Sequence, residues 1–151
     1  MDLLTQSDMR WRHIKLANTN STIGSCGCVI TAVANIYNLY KGMEMTNPTL
    51  LNRDLDFTRS GDLLWASVER ELGCKVIWDN KNPKPEQFNI VKFNFLGSSH
   101  FTNLLTFYND KYVIYDVYDD EVKIKDKDDI LRVTTLIFPE EGECECCKIK
   151  F

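Results

Sequence analysis

The chain has 151 residues, of which 44% are hydrophobic and 26% charged, and its formal net charge is -4. This length predicts one domain with its own core, the apolar fraction argues against intrinsic disorder, and the lack of a basic excess argues against a dedicated nucleic-acid binder. No apolar run approaches the roughly 18–20 residues of a membrane span, and the first residues lack the regions of a signal peptide. We therefore expect a cytoplasmic protein, or one exported inside a larger assembly.

Residues 1–25 are polar and predict irregular structure. From Cys28 onward, apolar residues recur at three- and four-residue spacing, which predicts a helix that ends before Gly42. Its wide apolar face indicates a central, mostly buried helix. A second, short helix is predicted to begin at Asn47–Pro48, because Asn is a good N-cap and Pro suits the first helical position. A third is predicted from about Asp62 to Leu72.

The second half of the chain changes to strand-like patterns. Lys75–Trp78 predicts a first strand, and further strands are expected at 89–96, 101–108, 111–117, about 121–125 and 132–138. Because helices come first and an antiparallel sheet second, without βαβ alternation, the sequence predicts an α+β fold. We expect a domain over residues 1–138, followed by an acidic, cysteine-rich tail at 139–151.

Cysteine usage is uneven, with six residues at positions 26, 28, 74, 144, 146 and 147. This is too few and too clustered for a disulfide scaffold, so a reducing compartment is expected. The spacing of Cys144, Cys146 and Cys147 does not match the two- to four-residue gaps of paired zinc ligands. We therefore expect no metal and no cofactor.

Cys28 stands where a loop meets a buried helix. Free backbone N–H groups and the helix dipole favour an anion there, which stabilises a thiolate, the nucleophilic form of cysteine. The alternative is a small buried residue that happens to begin a helix.

A cysteine nucleophile needs a base, and the sequence has only two histidines, His13 and His100. His100 opens a predicted strand, and a two-residue turn joins that strand to the next one, which ends at Asp116. Such a hairpin brings the two residues together, so we expect Asp116 to orient the His100 imidazole. Taken singly, a surface histidine and a strand-end aspartate explain both residues, and Asp119 or Asp120 could replace Asp116.

Five blocks of sequence, in this order, carry a resemblance to a known family: Gln6–Trp11, Thr22–Ala34, Asn47–Asn52, Ser98–Phe101 and Tyr112–Asp116. Together they resemble the papain-like cysteine peptidases of the C39-like group, which includes enzymes that cleave double-glycine leader peptides and many small phage-encoded relatives. The order and spacing cover about residues 4–138.

The resemblance implies a papain-like fold, in which the nucleophile begins a buried helix packed on an antiparallel sheet. It makes Cys28 the nucleophile, His100 the general base and Asp116 the residue that orients His100. It also implies that the Gln6 amide completes an oxyanion hole beside the backbone N–H of Cys28. Only the resemblance gives Gln6 this role; otherwise it is a loop residue that makes a backbone hydrogen bond. The implied reaction is hydrolysis of an amide bond through an acyl-enzyme, in a peptide or protein substrate or in the peptide part of peptidoglycan.

The sequence departs from the family pattern at two notable places. Val117 follows the aspartate where the family commonly has proline, and Cys26 lies two residues before the proposed nucleophile. Cys26 is either a bystander or a partner for an oxidised bridge to Cys28. Among the aromatic residues, we expect Trp11 to line the cleft and Trp78 to pack in the core.

Two other functions compete with a hydrolase. The first is a catalytically silent papain-like module that holds a peptide or a partner protein in the cleft. The second is redox chemistry through Cys26 and Cys28, which leaves His100 and Asp116 without a role.

Overall fold

Four helices precede the strands along the chain, in a computed structural model that describes residues 2–140. They are α1 (Ile23–Cys26), α2 (Cys28–Lys41), α3 (Pro48–Asp54) and α4 (Trp65–Leu72). All but the first two residues of the predicted tail 139–151 lie outside the described residues, and so do Cys144, Cys146 and Cys147.

The central helix, α2, agrees with its prediction at both ends. It begins at Cys28, and Gly42 follows its last residue in the left-handed conformation, with φ of 76°. Residues 30–36 are all buried. Burial of a whole stretch, rather than of one stripe, is what a wide apolar face predicts for a central helix.

The other helices agree less closely with the sequence. Asn47 caps α3 by accepting a hydrogen bond from Leu50 N at 3.0 Å, as predicted. In contrast, α4 begins at Trp65 rather than near Asp62, because Leu63 is extended and forms an antiparallel bridge with Phe57. The one-turn helix α1 was not predicted.

The six strands found between residues 2 and 140 form one antiparallel sheet with the order β1-β6-β2-β3-β4-β5. They are β1 (Lys75–Ile77), β2 (Phe88–Phe95), β3 (Ser98–Tyr108), β4 (Lys111–Asp116), β5 (Glu121–Asp126) and β6 (Ile130–Ile137). Strands β2 to β5 follow one another as a meander, and β6 returns to pair with β2. The α+β class is therefore confirmed. Within the described part of the chain, no helix is long and apolar enough to cross a membrane.

A buried network of two asparagines fixes α2 against both the sheet and the N-terminal segment. Asn35 Nδ2 donates to Asn103 Oδ1 at 2.9 Å, and Asn103 Nδ2 donates to Ala32 O at 2.9 Å. Asn35 also accepts from Leu4 N at 2.6 Å and donates to Leu4 O at 3.0 Å. Because these groups are buried and satisfied, the network sets the position of the first residues of the chain relative to α2 and β3.

Candidate active site

A tight turn between two helices determines where Cys28 lies. Gly27 separates α1 from α2, and its N–H donates to Ile23 O at 2.8 Å. A Cβ placed on Gly27 would lie only 2.6 Å from the same carbonyl oxygen, so a larger residue could not fit without a shift of the backbone. Cys28 is therefore held as the first residue of α2, where the backbone N–H groups have no acceptor within the helix.

The helix α1 is itself fastened to the loop before it. Thr22 and Ser25 form a capping box, in which each side chain bonds to the other residue's backbone. Gly24 N donates to Arg12 O at 3.1 Å, and a Cβ on Gly24 would lie 2.9 Å from that oxygen. The short helix is thus a rigid support for the residue that follows it.

The structure brings His100 and Asp116 together, as the hairpin argument predicted. His100 lies near the start of β3, Asp116 ends β4, and His100 Nε2 lies 2.8 Å from Asp116 Oδ1. Both residues are buried, with exposed fractions of 6% and 0%. The alternative acids are used elsewhere, because Asp119 bonds to Lys123 and Asp120 accepts from the hydroxyl of Tyr115.

The other side of the imidazole faces Cys28. Burial lowers the pKa of His100, but the hydrogen bond with Asp116 and the nearby Cys28, together with the charges of both residues, raise it to about 9 from an ordinary value of 6.5. Since Nε2 is bonded to Asp116, Nδ1 is the ring nitrogen that remains for the sulfur. The rings of Phe93 and Phe95 lie 5.4 and 5.3 Å from the imidazole, centroid to centroid, and keep it from swinging away.

Asp116 has two further partners. Tyr118 N donates to Oδ1 at 2.9 Å, and Lys123 Nζ donates to Oδ2 at 2.9 Å. Burial raises the pKa of Asp116, but the bonds to His100, Lys123 and the Tyr118 backbone outweigh it and hold the pKa well below its ordinary range. The carboxylate is therefore ionised at neutral pH.

Lys123 was missed by sequence reasoning, although a signal was present. Asp116 pairs with Glu121 across β4 and β5, so Lys123, two residues further on, lies diagonally opposite on the same face.

Gln6 reaches the same site from the N-terminal segment. Its backbone N–H donates to Val117 O at 2.9 Å, next to Asp116 in the chain. The side chain is 1% exposed, and Nε2 donates to Gly24 O at 3.1 Å, with Ile23 O at 3.5 Å. Its Oε1 is buried without a hydrogen-bond partner among the described residues. The amide is thus beside the site, but its N–H groups point toward α1 carbonyls.

One cavity of about 750 Å³ contains Gln6, Cys28 and His100 along its wall. Cys26 also lines it, and both thiols are free. Trp11, expected to line the cleft, instead packs in the core with 2% exposure, and its indole N–H donates to Thr5 O at 2.9 Å. Within residues 2–140, no three His, Cys, Asp or Glu side chains are grouped so as to hold a metal ion.

Comparison with protein-family models and with curated protein sequences gave no match to this chain. A thiol, an imidazole and a carboxylate follow one another, with the thiol at a helix start and the carboxylate buried behind the imidazole.

Proposed function

We propose that this protein is a papain-like cysteine hydrolase that cleaves a peptide bond through an acyl-enzyme. The observation that carries the proposal is the order of groups in one cleft: Cys28 at the start of α2, His100 beside it, and Asp116 bonded to the far side of the ring at 2.8 Å. This is the arrangement that nucleophile, base and orienting acid need in order to act together.

The proposed resting state is a thiolate on Cys28 beside an imidazolium on His100. A pKa of about 9 keeps His100 protonated at neutral pH. A positive charge next to a thiol favours the thiolate, and the N–H groups at the helix start favour it too. Asp116 holds the Nε2 proton, so that Nδ1 carries the proton that moves during the reaction.

The reaction then proceeds in two halves. The Cys28 thiolate attacks the carbonyl carbon, and His100 passes its Nδ1 proton to the leaving amine, so that the C–N bond breaks and an acyl-enzyme remains. A water molecule then gives a proton to His100 as its oxygen attacks the acyl carbon. Collapse of that intermediate releases the carboxylic acid and restores the thiolate and the imidazolium.

The oxyanion formed in each half needs hydrogen-bond donors. The backbone N–H of Cys28 at the start of α2 is one proposed donor, and the side-chain amide of Gln6 is the other. The long 3.5 Å contact between Gln6 Nε2 and Ile23 O leaves one amide N–H only loosely held and available to turn toward an oxyanion. The substrate class proposed is a peptide or protein, including the peptide part of peptidoglycan, in a reducing cytoplasm or in a phage particle.

A second candidate function is a catalytically silent module that binds a peptide or a partner protein in the same cleft. The observation in its favour is that Gln6 Nε2 donates to the carbonyl oxygens of Gly24 and Ile23, which leaves the oxyanion hole incomplete in this conformation.

Alkylation kinetics at each cysteine test the proposal. Burial and the charge of Glu69 raise the pKa of Cys74 to about 11, so that only about 0.01% of it is ionised at pH 7. We expect iodoacetamide to label Cys28 much faster at neutral pH than Cys74 or the exposed Cys26, as followed by peptide mass mapping. Labelling of Cys28 no faster than that of Cys26 contradicts the ion pair.

Hydrolysis itself is tested with a library of fluorogenic peptides. We expect the wild type to cleave members of the library, and Cys28→Ala to abolish cleavage while binding is retained. If Cys28→Ala still cleaves these peptides, Cys28 is not the nucleophile. Fast alkylation of Cys28 with no cleavage of any peptide favours the silent module.

A further inference from the structure

Three neighbouring strands place two cations and an aromatic ring in one row across the sheet. Lys92 on β2 is paired with Arg132 on β6 and with Phe101 on β3. Directly paired residues project from the same face of a sheet. This is the face covered by α2, because Phe101 and Ile90, two residues before Lys92, pack in the same core cluster as α2.

The row borders the cleft of the proposed site. Lys92, Phe101 and Arg132 all line the cavity that contains Cys28 and His100. Phe101 directly follows His100 on β3. Lys92 Nζ and Arg132 Cζ lie 5.8 and 5.5 Å from the centroid of the Phe101 ring, so both cations lie beside the residue that follows His100.

Neither cation is neutralised by an ion pair within the described part of the chain. Among residues 2–140, no salt bridge involves Lys92 or Arg132, and Arg132 Nε is buried without a hydrogen-bond partner. Asp79 acts on Arg132 electrostatically, but it is ion-paired with Lys81 at 2.9 Å. A half-buried guanidinium with an unsatisfied N–H is costly unless a ligand supplies an acceptor.

Aromatic rings hold the guanidinium in place. Arg132 Cζ lies 3.9 Å from the centroid of the Trp78 ring and 5.5 Å from that of Phe101. Trp78, which the sequence placed in the core, is 52% exposed, and it covers Arg132 at the rim of the cleft. Because rings exclude water from the cation, an anion that reaches it gains more than at an open surface.

We propose that Lys92 and Arg132 form a subsite for a carboxylate of the substrate, so that the preferred peptide carries an acidic group within about three residues of the bond cut. An extended peptide advances about 3.3 Å per residue, so three residues span about 10 Å, which exceeds the distances of 5.8 and 5.5 Å from the two cations to the Phe101 ring beside His100. Asp62 lines the same cavity and disfavours a polyanion, which is why a single carboxylate fits better. This proposal rests on the proposed hydrolase function.

The test is a set of fluorogenic peptides, acetylated and amidated at their ends, in which a single Glu or Gln is moved through the three positions on each side of the cleaved bond. We expect the best Glu peptide to exceed its Gln counterpart in kcat/KM by at least about tenfold. We expect Lys92→Gln or Arg132→Gln to reduce that preference to about threefold or less. Lys84→Gln, which changes an exposed lysine outside the cleft, is the matched control and keeps the full preference.

A second arm measures binding without catalysis. Isothermal titration of the same peptides into Cys28→Ala shows whether Glu binds more tightly than Gln, and whether Arg132→Gln in that background removes the difference. Adding a peptide whose only carboxylate is its free C-terminus separates a side-chain carboxylate from a chain terminus as the preferred source.

The two proposals fail in different ways. If no peptide is cleaved but Cys28→Ala binds Glu peptides in an Arg132-dependent manner, the subsite stands and the hydrolase does not. If the wild type cleaves Glu and Gln peptides equally well, the subsite is overturned and the hydrolase stands. The subsite is also overturned if neither the cleavage assay nor the titration shows a preference for Glu over Gln, or if that preference survives both Lys92→Gln and Arg132→Gln.

Discussion

Replacing Asp116 with asparagine tests the electrostatic link on which the proposed ion pair depends. Asparagine has nearly the same shape, and its side-chain oxygen still accepts a hydrogen bond from His100, so the substitution chiefly removes the negative charge. The carboxylate that it replaces is fully buried, and its Oδ1 lies 2.8 Å from His100 Nε2. The expected effect is therefore on the pKa of His100 rather than on the shape of the site.

The size of the effect follows from the position of His100. Its pKa of about 9 lies about 2.5 above the ordinary 6.5, which corresponds to about 3 kcal/mol in favour of the imidazolium in the folded protein. Burial opposes this, so Asp116 and Cys28 together supply more than the net amount. A single nearby charge shifts a pKa by about 1 to 3, so we expect the pKa of His100 to fall to between about 6 and 8 in Asp116→Asn.

The sign of the pH dependence follows from the raised pKa. His100 contributes stability that is complete below pH 6.5 and is lost as the pH rises through about 9. The basic limb of kcat/KM is expected near the same value, because the imidazolium donates the proton to the leaving amine. In Asp116→Asn both the loss of stability and the basic limb move to lower pH.

The assay is an NMR titration of the imidazole C2 proton. His13 is the only other histidine in the chain, so His13→Gln leaves one signal to follow. Asp119→Asn is the matched control, because Asp119 bonds to Lys123 but not to His100. The reasoning is refuted if His100 titrates at the same pH in Asp116→Asn as in the parent, or if Asp119→Asn lowers its pKa as much.

Three further predictions concern the supports of the site. Gly27→Ala forces a methyl group against a backbone carbonyl of α1. We expect the free energy of unfolding, measured with a denaturant, to fall by about 1–3 kcal/mol and the alkylation of Cys28 to become slower. An unchanged unfolding midpoint contradicts the tight turn. Asn35→Ala leaves buried backbone groups without partners, and we expect a loss of about 2–4 kcal/mol, whereas a loss below about 1 kcal/mol contradicts the buried network. The pKa of Asp116 is lowered, so the stability that this carboxylate contributes is present above pH 3.8 and is lost as the pH falls toward the lowered pKa. Because Lys123 helps to lower that pKa, we expect Lys123→Met to move the midpoint of acid unfolding, followed by circular dichroism, to higher pH. An unchanged midpoint would show that the lysine contributes nothing.

The sequence predicted long elements well and short ones poorly. Helix α2 spans four turns of strong periodicity and ends at a glycine whose positive φ is a sufficient stop signal. Helix α1 is four residues long, too short for any periodicity, and only the capping pair Thr22 and Ser25 marks it in the sequence. The predicted start of α4 was wrong because a tertiary contact, the bridge between Phe57 and Leu63, keeps the residues before the helix extended.

In the candidate site, too, the contacts between residues close in sequence could be predicted and those between distant residues could not. His100 and Asp116 belong to one hairpin, so that local reasoning could bring them together. Cys28 is 72 residues before His100, and no local pattern specifies that distance. It is set by the packing of α2 on β3, through buried asparagines that are themselves 68 residues apart. The row formed by Lys92 and Arg132 could not be predicted from the sequence either, because it exists only when β6 returns to pair with β2.

A single extra residue in β3 decides which carboxylate meets His100. At the turn, Tyr108 pairs with Lys111, and continuing that register without a break would place Asp119 opposite His100. The register shifts between Leu104 and Thr106, so that Asn103 pairs with Tyr115 instead. Since a shift of one residue exchanges the two faces of a strand, Asp116, the last residue of β4, now lies diagonally across from His100 and on its face. The sequence left these two aspartates open because nothing in it marks the bulge, and the bulge is therefore as much a part of the proposed catalytic geometry as the residues that it aligns.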